Sequence, residues 1–357
     1  MRRKTRFVCV SDTHGYTPSE AGFKLPAGDV LIHAGDLTNN GSTTELRKTV
    51  DWISEADFET KIIVAGNHDV SLDPDFYAKH GQAFHGQRLE DPTQCQEIIT
   101  GSDPSVVLLH HRSAVIRLNR PEGPNTAFKV FGSPYSQFQG SWAFGYETSD
   151  ATALWDQIPL DTDIIVTHTP AQSHCDQKPT GRLFGCNTLR ERLSRIRPQL
   201  AVCGHVHEGR GYERVRWRST LIGTGGEAEG VDTVVRGVLP GMGSKKQSLV
   251  DLTGKRAERL DNEGFSCSVP TQASVRSAAD NFLEPTHQRT SSDRAPALGA
   301  DSHALGHTLQ TLRRETCIVN AAVMATSWPY PGGKRFNAPI VVDLELPVWQ
   351  SNDNESG

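Results

Sequence analysis

Short apolar runs, each cut off by a polar cluster, set the limits on what this chain can fold into: RFVCVSD, DVLIHAGD, KIIVAGNHD, SVVLLHH, FKVFGSP, DIIVTHTP and LAVCGHVH. Runs of this length, bounded this way, read as buried strands. Between some of them the apolar spacing changes to that of a helix. Leu46, Val50 and Ile53 share a face after a Ser42 to Glu45 capping box, and Leu189, Leu193 and Ile196 repeat the spacing. Strands separated by amphipathic helices place the chain in the α/β class. From about Glu227 to Arg314 the pattern collapses into small and polar residues, with Phe265 and Phe282 the only aromatics. Such a stretch buries too little to fold, so 227–314 is expected to be a long disordered insertion. Apolar runs return at CIVNAAVMA and PIVVDLEL, which predict two closing strands of the same core. Residues 1–357 therefore read as a single domain interrupted by an insertion.

The run endings carry the chemistry. They present Asp12 and His14 in SDTHG, Asp36 in GDLTNNG, Asn67 in GNHD, His168 in VTHTP, and His205 with His207 in GHVHEG. Any one of these alone is ordinarily a turn or capping residue. Their recurrence, in order, at the end of one strand after another points to a metal centre. In extended backbone, residues two apart point to the same side, so Asp12 with His14, and His205 with His207, would each offer two ligands to one cluster. Carboxylate and imidazole suit Mn, Fe or Zn, and Asp36 has one oxygen for each of two adjacent ions. Two divalent ions about 3.5 to 4 Å apart turn a shared water into hydroxide near neutral pH, which attacks phosphorus without a side-chain nucleophile. The expected cofactor is a pair of divalent ions, Mn first, with Fe, Zn, Co or Mg as alternatives.

The series D-x-H, GD, GNH, an isolated H and GHxH resembles the calcineurin-like metallophosphoesterase superfamily. The later segments VCGHVHEGRGYE, VNAAV and NAPIVVDLEL resemble its metallophosphoesterase-domain-containing branch. The resemblance implies two mixed β-sheets packed face to face with helices outside, and ions at the carboxyl ends of the strands. It implies Asp12, His14 and His207 with Asp36 around the first ion, and Asn67, His168 and His205 with Asp36 around the second. His68 matches the family residue that contacts the scissile phosphate and protonates the departing alkoxide, a role that imidazole suits. The chain also departs from the pattern. Phosphoprotein phosphatases of the superfamily carry GDxxDRG, whereas Gly35 to Gly41 here lack both the Asp that orients the catalytic His and the phosphate-clamping Arg. Protein phosphatase activity is thereby disfavoured. Some vertebrate members of the branch carry Gly at the position of His205, but both histidines of GHVH are present here.

Other residues carry less. His174 and Asp176 in SHCDQK follow His168 and are candidates for substrate contact, although a solvated loop is the plainer expectation. Trp142, Phe144 and Tyr146 alternate as a strand face would, which suits core packing first and base stacking second. His33, inside VLIHAGD, reads as a hydrogen-bonded core histidine. The net charge of −5 offers no global attraction to nucleic acid or anionic membranes. No run of 18 apolar residues occurs, and FVCV meets SDTH too soon for a signal segment, so a cytoplasmic or nuclear protein is expected. Seven scattered cysteines without a C-x-x-C pair read as reduced thiols. The expected partner is a small-molecule phosphate ester, with cyclic nucleotides suggested by the branch. Competing readings are a nuclease and a non-catalytic scaffold whose insertion recruits protein partners.

Overall fold

A computed structural model describes residues 1–137, 140, 142–218, 230–262, 313–330 and 332–349. Strands β1 (Arg2–Val10), β2 (Val30–Ala34), β3 (Thr60–Val64) and β4 (Val106–Leu108) come first, then β5 (Arg112–Arg117) and β6 (Ala127–Ser133). They are followed by β7 (Ser136–Gln137), β8 (Gly145–Tyr146), β9 (Ile164–Thr167), β10 (Leu200–Cys203) and β11 (Gly211–Trp217). The last are β12 (Val231–Arg236), β13 (Ser248–Asp251), β14 (Glu315–Asn320) and β15 (Ile340–Pro347). Helices are α1 (Thr43–Glu55), α2 (Pro74–His85), α3 (Pro92–Thr100), α4 (Ala151–Trp155) and α5 (Asn187–Ile196).

The strands form two mixed sheets, ordered β13-β15-β1-β2-β3-β4 and β12-β11-β14-β10-β9-β6-β5, with β7 and β8 paired apart. Alternate residues of each run explain why the runs are apolar throughout. Phe7, Cys9, Ile32 and Val64 of the first sheet share a core with Val130, Val166, Val202 and Val319 of the second. Their neighbours Val8, Leu31 and Ile63 face outward onto Leu46, Val50 and Ile53 of α1. On the other side Ile165, Ala201 and Ile318 pack under Leu189, Leu193 and Ile196 of α5. The central strands are thus buried on both faces, as a strand between a sheet and a helix layer must be, while the edge strands β5 and β12 stay largely exposed. The closing strands belong to this core as expected, but to different sheets: β14 lies between β11 and β10, and β15 between β13 and β1.

The expectation of an unfolded 227–314 is corrected at its start. β12 pairs antiparallel with β11, and β13 pairs parallel with β15. A composition average conceals such short strands, which need only a neighbour's free edge to form. Residues 263–312 lie outside the described residues. The two ends that flank them meet: Asn262 Oδ1 accepts from the amides of Arg314 and Glu315 at 2.7 and 2.9 Å.

The capping box of α1 is present, Ser42 accepting from the Glu45 amide and Glu45 reaching back to the Ser42 amide. α2 and α3 were not anticipated, yet each starts at an Asp-Pro pair whose carboxylate accepts from the first turn. All the described cysteines are free and buried; Cys267 lies outside the described residues. No helix among the described residues is long and apolar enough to cross a membrane.

Candidate metal centre

The parallel strands β1, β2 and β3 of one sheet and β9 and β10 of the other deliver their following loops to one end of the sandwich. Carboxyl strand ends are where ligands gather in sheets of this kind. Asp12, His14, Asp36 and His207 converge there, one ligand atom of each within 4.8 Å of the others. His207 Nε2 stands 3.2 Å from His14 Nε2 and 3.3 Å from Asp12 Oδ1. A second group adjoins it: Asn67 Oδ1 lies 3.0 Å from His168 Nε2 and 2.9 Å from His205 Nδ1. Asp36 stands between the two, with Oδ1 3.4 Å from His168 Nε2 and Oδ2 3.7 Å from His14 Nε2.

The local backbone differs from the extended form expected. Asp12, His14, Asp36 and His205 have φ of 54°, 46°, 52° and 66°, left-handed values that strain a side-chain-bearing residue by roughly 1 kcal/mol or more. The loops turn sharply instead of running on. One result is that His205 and His207 do not serve one cluster: His205 joins Asn67 and His168, and His207 joins Asp12 and His14. Close packing leaves the loops no slack. A Cβ on Gly66 would sit 2.3 Å from Asp36 Oδ1, and one on Gly204 2.3 Å from Asp12 Oδ2.

Hydrogen bonds on the far ring nitrogens aim the near ones inward. His168 Nδ1 donates to the Ala34 carbonyl at 3.0 Å and His207 Nδ1 to the Thr326 carbonyl at 3.1 Å. His68, half-buried at the edge, donates from Nδ1 to the Asn39 carbonyl at 2.8 Å, while its backbone amide donates to Asp36 Oδ1 at 2.9 Å. Its ring lies edge-on to His14 and is covered on one face by Trp142, 4.0 Å between centroids. The Asn39 main chain thus does for His68 what the missing Asp of GDxxDRG does elsewhere.

A model of calcineurin-like phosphoesterases matches residues 5–209, more than half of the chain. The chain belongs to the calcineurin-like phosphoesterase family. It is 41% identical over 224 residues to a probable rhamnogalacturonate lyase C of Emericella nidulans, an alignment covering 61% of this chain and 19% of that protein. It is 33% identical over 217 residues to metallophosphoesterase domain-containing protein 1 of Homo sapiens, covering 58% of this chain and 62% of that one. The chain therefore spans less than two thirds of either relative. Among solved structures, a purple acid phosphatase from yellow lupin (Lupinus luteus) is 13% identical, with a TM-score of 0.33 over 60% of this chain and 39% of that one.

Electrostatics in this calcineurin-like phosphoesterase fit a cation. Burial, together with nearby imidazoles, lowers His14 and His205 to about 3, so both stay neutral. Burial opposes charge on Asp12, but its hydrogen bond and attraction to His207 prevail and hold it at about 2. Asp36 is likewise held below the usual carboxylate range against its burial, chiefly by His168. Imidazole nitrogens stand only 3.2 and 3.3 Å apart, at His14–His207 and His168–His205, and would turn lone pairs to an ion once His168 gives up its proton. Carboxylates, imidazoles and a carboxamide oxygen, without a thiol, form a donor set that suits a divalent ion bound through oxygen and nitrogen.

Two predicted contacts are corrected. His174 and Asp176 do not lie on a solvated loop: they are 2% and 1% exposed, with their hydrogen bonds made within the fold. His174 Nδ1 bonds to Glu213 Oε2 at 3.0 Å and Asp176 Oδ2 accepts from the Gly185 amide at 2.9 Å. Phe144 and Tyr146 are core residues, whereas Trp142 stands at the site. His33 is a hydrogen-bonded core histidine, 2.8 Å from Thr13 Oγ1.

Two buried residues escaped the sequence reading. Asp69 accepts from the amides of Gly66, Leu37 and Thr38, tying the GNHD loop to the GD loop. Asn320, at the end of β14, donates to the carbonyls of Cys175 and Val206 at 2.9 Å each and so supports the GHVH turn. The available signal was the same one that marked the ligands, a polar residue closing an apolar run.

Proposed function

We propose that this chain hydrolyses phosphate esters of small molecules at a centre of two divalent ions. Asp12, His14 and His207 hold the first, Asn67, His168 and His205 the second, and Asp36 serves both. The observation that carries this reading is Asp36 itself, whose two oxygens face two separate groups of ligand atoms. When bound, the ions supply Lewis acidity to the phosphoryl oxygens and make water a nucleophile near neutral pH. The chain's own residues do the rest. His68, its Nδ1 proton engaged by the Asn39 carbonyl, keeps Nε2 for delivering a proton to the departing alkoxide. Trp142 covers the ring and limits its rotation and hydration.

A phosphodiester fits better than a phosphoprotein, because Asn40 occupies the place of the clamping Arg; cyclic nucleotides are the diesters to try, and Mn the first ion. The lyase activity named for the Emericella nidulans relative belongs to a protein of which this chain matches 19%. The test is hydrolysis of bis(p-nitrophenyl) phosphate by Mn-loaded protein. Asp36→Asn should lose metal and activity together. His68→Ala should keep its metal, lose about 100- to 10,000-fold in rate on an alkyl diester, whose alkoxide needs the proton, and lose far less on the nitrophenyl ester. A wild-type protein that binds metal and cleaves neither diester nor monoester would sink the proposal.

A further inference from the structure

A cavity beside the cluster indicates which alcohol the ester releases, and this rests on the reading of His68 as proton donor. A general acid faces the leaving oxygen, so the departing alcohol lies on the His68 side. Trp142 covers one face of His68 and also lines a cavity of about 150 Å³, shared with Asn67 and His205 of the cluster. Among the described residues, the rest of the wall is Ser136, Gln137, Ala143 and Gly145. None of these residues is a carboxylate, ammonium or guanidinium, and the run from Ser136 to Gly145 contains no ionisable side chain. Gln137 donates from Nε2 to Thr148 Oγ1 at 2.9 Å, which fixes one end of its carboxamide. With the phosphoryl group on the ions, an ionised group of the alcohol lying against the Ser136–Gln137 wall would lose hydration without meeting a charged side chain, whereas a neutral polar group finds the hydroxyl and carboxamide. With about 30 Å³ per water, the space matches roughly five waters, or one substituted ring.

We propose that this cavity is the leaving-alcohol subsite, and that it selects phosphate esters whose alcohol is uncharged, hydrogen-bonding and about one ring in size over those whose alcohol is itself anionic. The experiment compares methyl 4-nitrophenyl phosphate with its 3-carboxy derivative on Mn-loaded wild type, Gln137→Lys and Gln137→Glu. It also measures calorimetric binding of the inert benzylphosphonate and 4-carboxybenzylphosphonate. Wild type should favour the uncharged ester in kcat/KM by about tenfold beyond the difference in intrinsic reactivity. Gln137→Lys should shift the ratio towards the carboxylate by about tenfold, and Gln137→Glu should shift it away. Misfolding would lower both substrates alike and could not move the two variants in opposite directions. Turnover with ratios unmoved by either variant overturns the subsite and leaves the hydrolase intact. Absent turnover with a Gln137-dependent preference between the phosphonates overturns the hydrolase and keeps the subsite. Neither turnover nor binding overturns both.

Discussion

His168 carries a proton that a metal must displace. Burial works against its charge, but the Asp36 carboxylate, a hydrogen bond to it and the Ala34 carbonyl hold the imidazole at about 9. A raised folded pKa stabilises the ion-free fold fully below the unfolded value of 6.5, and that stabilisation is lost as pH rises through about 9. Metal uptake near neutral pH should therefore release protons and strengthen with pH. Calorimetry with and without Mn should show the gap in Tm widening from pH 6.5 towards 9; a constant gap means that His168 is not a ligand. Trp142 invites a second test at this scale. Trp142→Ala should slow alkyl esters about tenfold more than p-nitrophenyl esters, which leave with little need of an acid, and Trp142→Phe should restore most of the loss. The residues proposed as ligands were legible because each follows an apolar run. Asp69 and Asn320 carry the same mark, and what the sequence does not show is that they bond backbone groups distant in the chain instead of an ion. Asn320→Ala should cost about 1 to 3 kcal/mol by stranding buried carbonyls, read as a lowered denaturant midpoint.

Glu45 joins an element to the chemistry. Its carboxylate closes the α1 capping box and also accepts from the amides of Asn39 and Asn40, at 3.1 and 3.2 Å. The helix cap thus holds the loop whose carbonyl orients His68. Ser42→Ala should remove the cap alone, about 1 kcal/mol and a few degrees of Tm, with kcat intact. Glu45→Ala should cost similar stability and lower kcat as well, because small misplacements of an acid are costly in rate. Equal kcat in the two variants would show the loop to be held by other means. Elements with continuous apolar runs or clear periodicity were legible from sequence. β12 and β13 were not, since their pairing depends on edges supplied by β11 and β15.

At the scale of the molecule, the meeting of Asn262 with Arg314 and Glu315 marks where the chain leaves and rejoins the core. Replacing residues 263–312 by a short Gly-Ser linker should leave Tm and hydrolysis within about twofold of wild type, because closure entropy varies slowly with loop length. Removing 227–314 should not be tolerated. That cut takes β12, β13 and the buried Arg313, whose pair with Asp163 at 2.5 Å would cost about 3 to 5 kcal/mol to break. Expression of the two deletions side by side, read by soluble yield, separates these outcomes. The central position of the last two strands has a further effect during synthesis. β14 sits against β10 and β15 against β1, so one sheet is complete only when residue 320 has left the ribosome and the other only when residue 347 has. At about 5 to 20 residues per second, the open edge of β10 waits on the order of six to twenty-five seconds for its neighbour. Through that interval the nascent chain presents an unpaired apolar strand edge, the kind of surface that exposes a folding chain to association.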